Sequence, residues 1–174
     1  MVLKELLEEY KGKIRVVFKN MVVHPPQVMQ AHLAGCAAAK QGKFPEFYDA
    51  FWDRGYKEYQ EKRDPSFLGE ENVFKIAGDV GLDVGRLKND LQGCQQVIQG
   101  DAEELQKFKV NGTPAFFING EFIGGGIPKE AFKQIIDKKL QVAQASGVPG
   151  ASYYEQEIRG KGEKAVVRRP RQQQ

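Results

Sequence analysis

The chain has 174 residues, 41% of them hydrophobic, which is enough to bury one sizeable core, and nothing in the sequence divides it into two independent domains. Its net charge of +3 sits at one end: from Arg159 onward Arg159, Lys161, Lys164, Arg168, Arg169 and Arg171 face Glu163 alone, so this tail carries +5 and the rest −2. No run approaches the roughly 18 apolar residues of a membrane span, the opening MVLKELLEEYKGK lacks a signal peptide's apolar core, and the tail has no aromatic interleaving or binding module, so the chain reads as soluble, with neither membrane nor nucleic acid as a partner.

In chain order, residues 2–10 predict a helix, with Leu3, Leu6, Leu7 and Tyr10 on one stripe and Gly12 as its stop. Ile14, Val16 and Phe18 then alternate with Arg15, Val17 and Lys19, the period of two that predicts a strand, until His24-Pro25-Pro26 breaks it. Helices follow. Met29, Leu33, Cys36, Ala37 and Lys40 share a spacing that puts Cys36 on an inner face, and Phe44, Phe47, Tyr48, Phe51 and Trp52 crowd a second helix and read as core. Asp64-Pro65 marks a break. Val73, Phe74 and Ala77 predict a third helix, Val84, Leu87, Leu91 and Cys94 a fourth that ends at the second cysteine, and Ile98, Ala102, Leu105 and Phe108 a further one.

The stretch KVNGTPAFFING, residues 109–120, changes the pattern. Ala115 to Ile118 form an apolar run, and Asn119-Gly120 favours a tight hairpin because both residues tolerate positive φ. Pro114 offers no ladder donor, so Thr113-Pro114 just ahead of a strand signals a special bend, of which a cis peptide is one form. Beyond Gly124-Gly125-Gly126, Pro128 opens a helix with Phe132, Ile135, Ile136 and Leu140 on one face.

No cofactor or metal is expected. His32 lies four residues before Cys36, yet two ligands do not make a site, and His24 before Pro25 reads as a cap or packing residue. The three glycines follow a hairpin and lack the lysine and strand-to-helix context of a phosphate loop.

The segments KIRVVFKN…HP, AAAKQGKFPEFYDAFW, GLDVGRLKNDLQGC and VNGTPAFFINGEFIGGGIPKEAFKQIID resemble, in the same order, the DsbA-like thioredoxin-domain family. The resemblance implies an α/β, thioredoxin-like fold over residues 1–141 with an inserted helical domain at about 25–108; residues 142–174 read, from their charge, as a basic, solvated and partly disordered extension. It implies a cis-proline at Pro114 and a Thr113 backbone that pairs with extended peptide, so that a peptide or thiol protein substrate docks there by strand addition.

The family pattern also carries Cys-x-x-Cys at the start of the helix whose remainder is residues 2–10, with a strand before it, and neither is present in this sequence. Thiol-disulfide exchange needs a low-pKa attacking thiolate and a resolving thiol. Cys36 and Cys94 lie 58 residues apart on apolar helix faces, so no catalytic residue is assigned and the chain reads as an N-terminally truncated, catalytically incomplete member of an oxidoreductase family. For the two cysteines, a structural disulfide, which some relatives have within the insertion, and a pair of reduced buried thiols both remain open. The family implies an extracytoplasmic, periplasmic location, whereas no signal peptide is seen.

Two other functions fit the same residues. One is a redox-inactive module that binds peptide at Thr113-Pro114, and the other is a glutathione-using relative of the kappa-class transferases. By resemblance the absent first strand is central, between residues 14–18 and 115–118, so those edges are expected to close by direct pairing or by another chain's strand, which makes a homodimer through open sheet edges one arrangement.

Overall fold

The computed structural model describes residues 2–166. Arg168, Arg169 and Arg171, which carry half of the basic tail, lie outside the described residues. The elements run α1 (Val2–Glu9), α2 (Pro25–Lys40), α3 (Phe44–Phe51), a π-helical turn (Trp52–Lys57), α4 (Glu58–Lys62), a 3-10 turn (Pro65–Leu68), α5 (Glu70–Asp79), α6 (Val84–Lys107), β1 (Ala115–Ile118), β2 (Glu121–Gly124), α7 (Lys129–Ala145), α8 (Gly150–Tyr153) and a second π-helical turn (Tyr154–Gly160). They form two compact units, one of residues 2–18 with 105–166 and one of Lys19–Glu104. The sequence placed a helical insertion at about 25–108, close to the second of these.

The Lys19–Glu104 unit is helical. Ala34, Ala37 and Ala38 on α2 are fully buried, and their small side chains leave room for Phe47 of α3, Val73, Ile76 and Ala77 of α5, and Leu87 and Cys94 of α6. Burying this much apolar surface is what stabilises helices whose intrinsic propensity is modest. Two readings need correction. The aromatic helix is not all core: Phe47 is buried, but Trp52 is 45% exposed in the π-helical turn, where its ring meets Tyr56 at 4.7 Å. The fourth and further helices are one, since α6 continues through Gly93 and Gly100 for 24 residues, its long packed face overriding the cost of glycine.

The other unit packs α1 and α7 against one face of a hairpin, with Leu6, Tyr10, Ile123, Phe132 and Ile136 at its centre. Gly12 has φ +74°, the left-handed geometry that lets the chain leave α1. The Tyr10 hydroxyl donates to Asp137 Oδ1 at 2.6 Å, which pushes its pKa up to about 12. On the rim, Lys129 reaches Glu5 at 2.8 Å and also Glu9, and Lys133 reaches Glu9 at 3.1 Å. Asn119 and Gly120 both have positive φ, as the tight turn requires, and fix the antiparallel register Ile118 to Glu121, Phe117 to Phe122, Phe116 to Ile123 and Ala115 to Gly124.

Residues 14–18 do not form the expected strand. The segment is irregular, and Val16 and Val17 are 47% and 43% exposed. Alternation specifies a face, but a strand exists only by pairing, and among the described residues β1 pairs with β2 alone. The direct pairing of the two edges is therefore not found. Part of the extension is ordered: α7 runs to Ala145, the chain is helical again from Gly150 to Gly160, and Arg15 stacks 4.6 Å over the Tyr154 ring.

Candidate functional site

Thr113 and Pro114 are both exposed at the head of β1, and the peptide between them is cis. The Gly125 amide donates to the Pro114 carbonyl at 2.8 Å, so Pro114 continues the ladder opposite Gly125. Hydrogen-bonded and non-hydrogen-bonded pairs alternate along an antiparallel ladder. Phe116 and Ile118 therefore turn their N–H and C=O groups toward β2, and Ala115 and Phe117 turn theirs away. Among the described residues those outward groups have no backbone partner. An extended segment laid beside β1 would satisfy them, which is the chemistry of strand addition.

The side chains of β1 are divided by the same alternation. Phe116 and Ile118 join the α1–α7 core, Phe116 meeting Phe132 edge-on at 5.0 Å. Phe117 lies on the other face.

Cys36 and Cys94 are joined, with their Cα atoms 5.7 Å apart, tying α2 to α6 inside the helical unit. Of the two arrangements open from the sequence, this is the disulfide. It leaves no free thiol in the chain.

A polar cluster that the sequence reading missed lies in the same unit. Asp101 of α6 is buried, and its Oδ2 accepts from the backbone N–H and from Nδ2 of Asn20, both at 2.9 Å. Lys19 Nζ lies 3.1 Å from Asp101 Oδ1 and 2.7 Å from Glu104. With Nδ2 committed to Asp101, Asn20 Oδ1 is the acceptor facing His32, so His32 Nδ1, 3.0 Å away, donates. Burial lowers the His32 pKa. His32 is thus engaged in this network, and His24 occupies the N-cap position of α2 at φ 61°, its carbonyl accepting from the Gln27 N–H at 3.1 Å and its side chain making no cap bond. A signal for the cluster was present: Asp101 falls on the stripe of Leu87, Cys94 and Ile98, where a carboxylate needs buried partners.

A hairpin packed on two helices by one face and headed by Thr-Pro fits an α/β, thioredoxin-like domain. A sequence model of the family described as Thioredoxin matches residues 1–138, and the chain belongs to the DsbA-like thioredoxin-domain family. It is 30% identical over 149 residues to the probable disulfide bond formation protein D of Bacillus anthracis, a match that covers 80% of this chain and 65% of that protein. The protein of the same name from Bacillus cereus is 30% identical over 148 residues, with the same coverage. Over 123 residues the chain is 31% identical to the Na(+)/H(+) antiporter NhaA 3 of Salinispora tropica, covering 67% of this chain and 17% of that protein. The chain thus spans 65% of the length of the two Bacillus relatives. No solved structure matches it.

Proposed function

We propose that this chain serves protein thiol-disulfide exchange as a DsbA-like protein, and that its own contribution is to hold an extended segment of a thiol protein along β1 at Thr113 and Pro114. The names of the Bacillus relatives support the reaction class. The observation that carries the binding role is that Thr113 and Pro114 stand exposed at the head of β1, with no backbone partner for the Thr113 N–H among the described residues.

The chain alone binds and does not turn over. Exchange requires an attacking thiolate and a resolving thiol, and the sequence contains no Cys-x-x-Cys. Cys36 and Cys94 are consumed by each other, and Cys94 is fully buried.

Titration of the chain with a fluorescent extended peptide carrying one thiol tests this reading. Saturable binding is expected, and a twin peptide with its backbone amides N-methylated along the pairing edge should bind at least about tenfold more weakly, because it has lost its donors. Equal binding of the two peptides would overturn the reading.

A further inference from the structure

The helical unit carries a continuous row of aromatic rings. Along α3, the π-helical turn and α4, ring centroids follow one another at 5.6 Å (Phe44 to Tyr48), 6.0 Å (Tyr48 to Trp52), 4.7 Å (Trp52 to Tyr56) and 6.3 Å (Tyr56 to Tyr59). The inner side of this stretch is committed to the core by Phe47 and by buried Gly55, where a Cβ would come within 2.8 Å of the Phe51 ring. Trp52 is left on the outer side, 45% exposed. The whole row belongs to Lys19–Glu104 and shares no residue with the hairpin.

Tryptophan and tyrosine join a large apolar area to a polar tip, which is why they recur at protein interfaces. Among the described residues the Trp52 indole N–H and the Tyr56 and Tyr59 hydroxyls have no hydrogen-bond partner, so these tips remain available.

Charge identifies what covers the row. Lys19–Glu104 holds fourteen Asp and Glu against ten Lys and Arg, a net −4. Glu46 and Asp53, on the turns that carry Tyr48 and Trp52, are exposed, and among the described residues neither has a basic partner. Arg54 is tied to Asp79, which leaves Lys57 as the one base of the stretch without an acidic partner among the described residues. The complementary charge stands in the same sequence: residues 164–174 contain Lys164, Arg168, Arg169 and Arg171 and no Asp or Glu. Exposed charges are screened beyond about 8 Å at about 0.15 M salt, so two copies meet through such local patches and not through their net charge. Guanidinium groups stack on Trp and Tyr faces and bond carboxylates in one plane, which suits rings edged by acids.

We infer that the aromatic row at residues 44–59 takes the basic tail, residues 164–174, of a second copy of the chain. The contact is independent of the peptide site at Thr113 and Pro114.

Trp52 is the only tryptophan in the sequence and the tail has no aromatic residue, so tryptophan emission reports this surface alone. A peptide of residues 164–174, titrated into the variant Arg168→Gln, Arg169→Gln, Arg171→Gln, should change that emission saturably. Its affinity should fall about tenfold or more between about 0.05 M and about 0.5 M salt. In sedimentation equilibrium at the lower salt, the unaltered chain should rise above the mass of one chain when its concentration is raised about a hundredfold. The triple variant and Trp52→Ala should both stay single. Far-UV circular dichroism checks that Trp52→Ala is folded, and the triple variant, altered only in the tail, carries the test if it is not. Association that survives the triple variant, or that a folded Trp52→Ala retains, would overturn the inference. A chain that stays single at every concentration would overturn it as well, and if the peptide still changed Trp52 emission, the row would belong to a basic segment other than a second copy's tail.

Discussion

Asp101 holds Asn20 by two hydrogen bonds at once, from the backbone N–H and from Nδ2, each 2.9 Å long. One carboxylate thereby fastens the segment that leads into α2 to the far end of α6 within the helical unit. Asp101→Ala removes the acceptor and strands two donors at a buried site, at about 1–3 kcal/mol for each unsatisfied group. The expected loss is about 2–4 kcal/mol, with Asp101→Asn costing less because one acceptor survives. Urea denaturation measures it, and a change below about 0.5 kcal/mol would show that the contact contributes nothing net.

His32 makes the same cluster sensitive to pH. Burial lowers its folded-state pKa below the ordinary histidine value of 6.5, so the neutral ring is favoured in the folded form. Below pH 6.5 the unfolded chain takes up a proton that the folded chain resists, and stability falls as pH drops through that value toward the lower folded pKa. Above pH 6.5 both states are neutral and the contribution is level. His32→Gln should flatten the decline between pH 7 and 5 in thermal melts, and an unchanged slope would place the titration elsewhere.

The Cys36–Cys94 bond closes a long loop across the helical unit, with 58 residues of separation. Native disulfides of small domains typically contribute about 2–5 kcal/mol, and the double variant Cys36→Ser, Cys94→Ser should lose that much in a denaturation series. Alkylation under denaturing conditions without reductant should label neither cysteine. Two labels by mass would show that the bond does not form.

Catalysis provides a separate test. In an insulin-reduction or thiol-oxidation assay the purified chain should stay at background, because its cysteines are bonded to each other on α2 and α6. Robust turnover abolished by Cys36→Ser would mean that this disulfide is itself the redox centre.

What could be read from the sequence followed from signals that are local. Asn119-Gly120 encoded its own turn, Pro128 set the start of α7, and Phe132 and Ile136 marked that helix's buried face. The strand expected at Ile14 to Phe18 failed because its pattern names a face and not a partner, and pairing is a property of two segments. Ending a helix at Cys94 overlooked that the same face stays packed to Ile98 and Asp101, so α6 runs on to Lys107. The Asn20–Asp101 contact joins residues 81 apart, so only one half of it, a carboxylate on an apolar stripe, was legible in advance. The Thr113-Pro114 element was found from its residues, but which backbone groups of β1 face outward depends on the hairpin register, which the fold supplies.

Amide hydrogen exchange at Thr113 tests the central claim, that the exposed backbone at Thr113 and Pro114 accepts an extended segment, most directly. In the free chain this amide should exchange faster than those of Phe116 and Ile118, which face β2, and saturating peptide should slow it by about tenfold or more while changing Phe116 and Ile118 little. A Thr113 amide that is already protected in the free chain, or that stays fast with peptide bound, would contradict it.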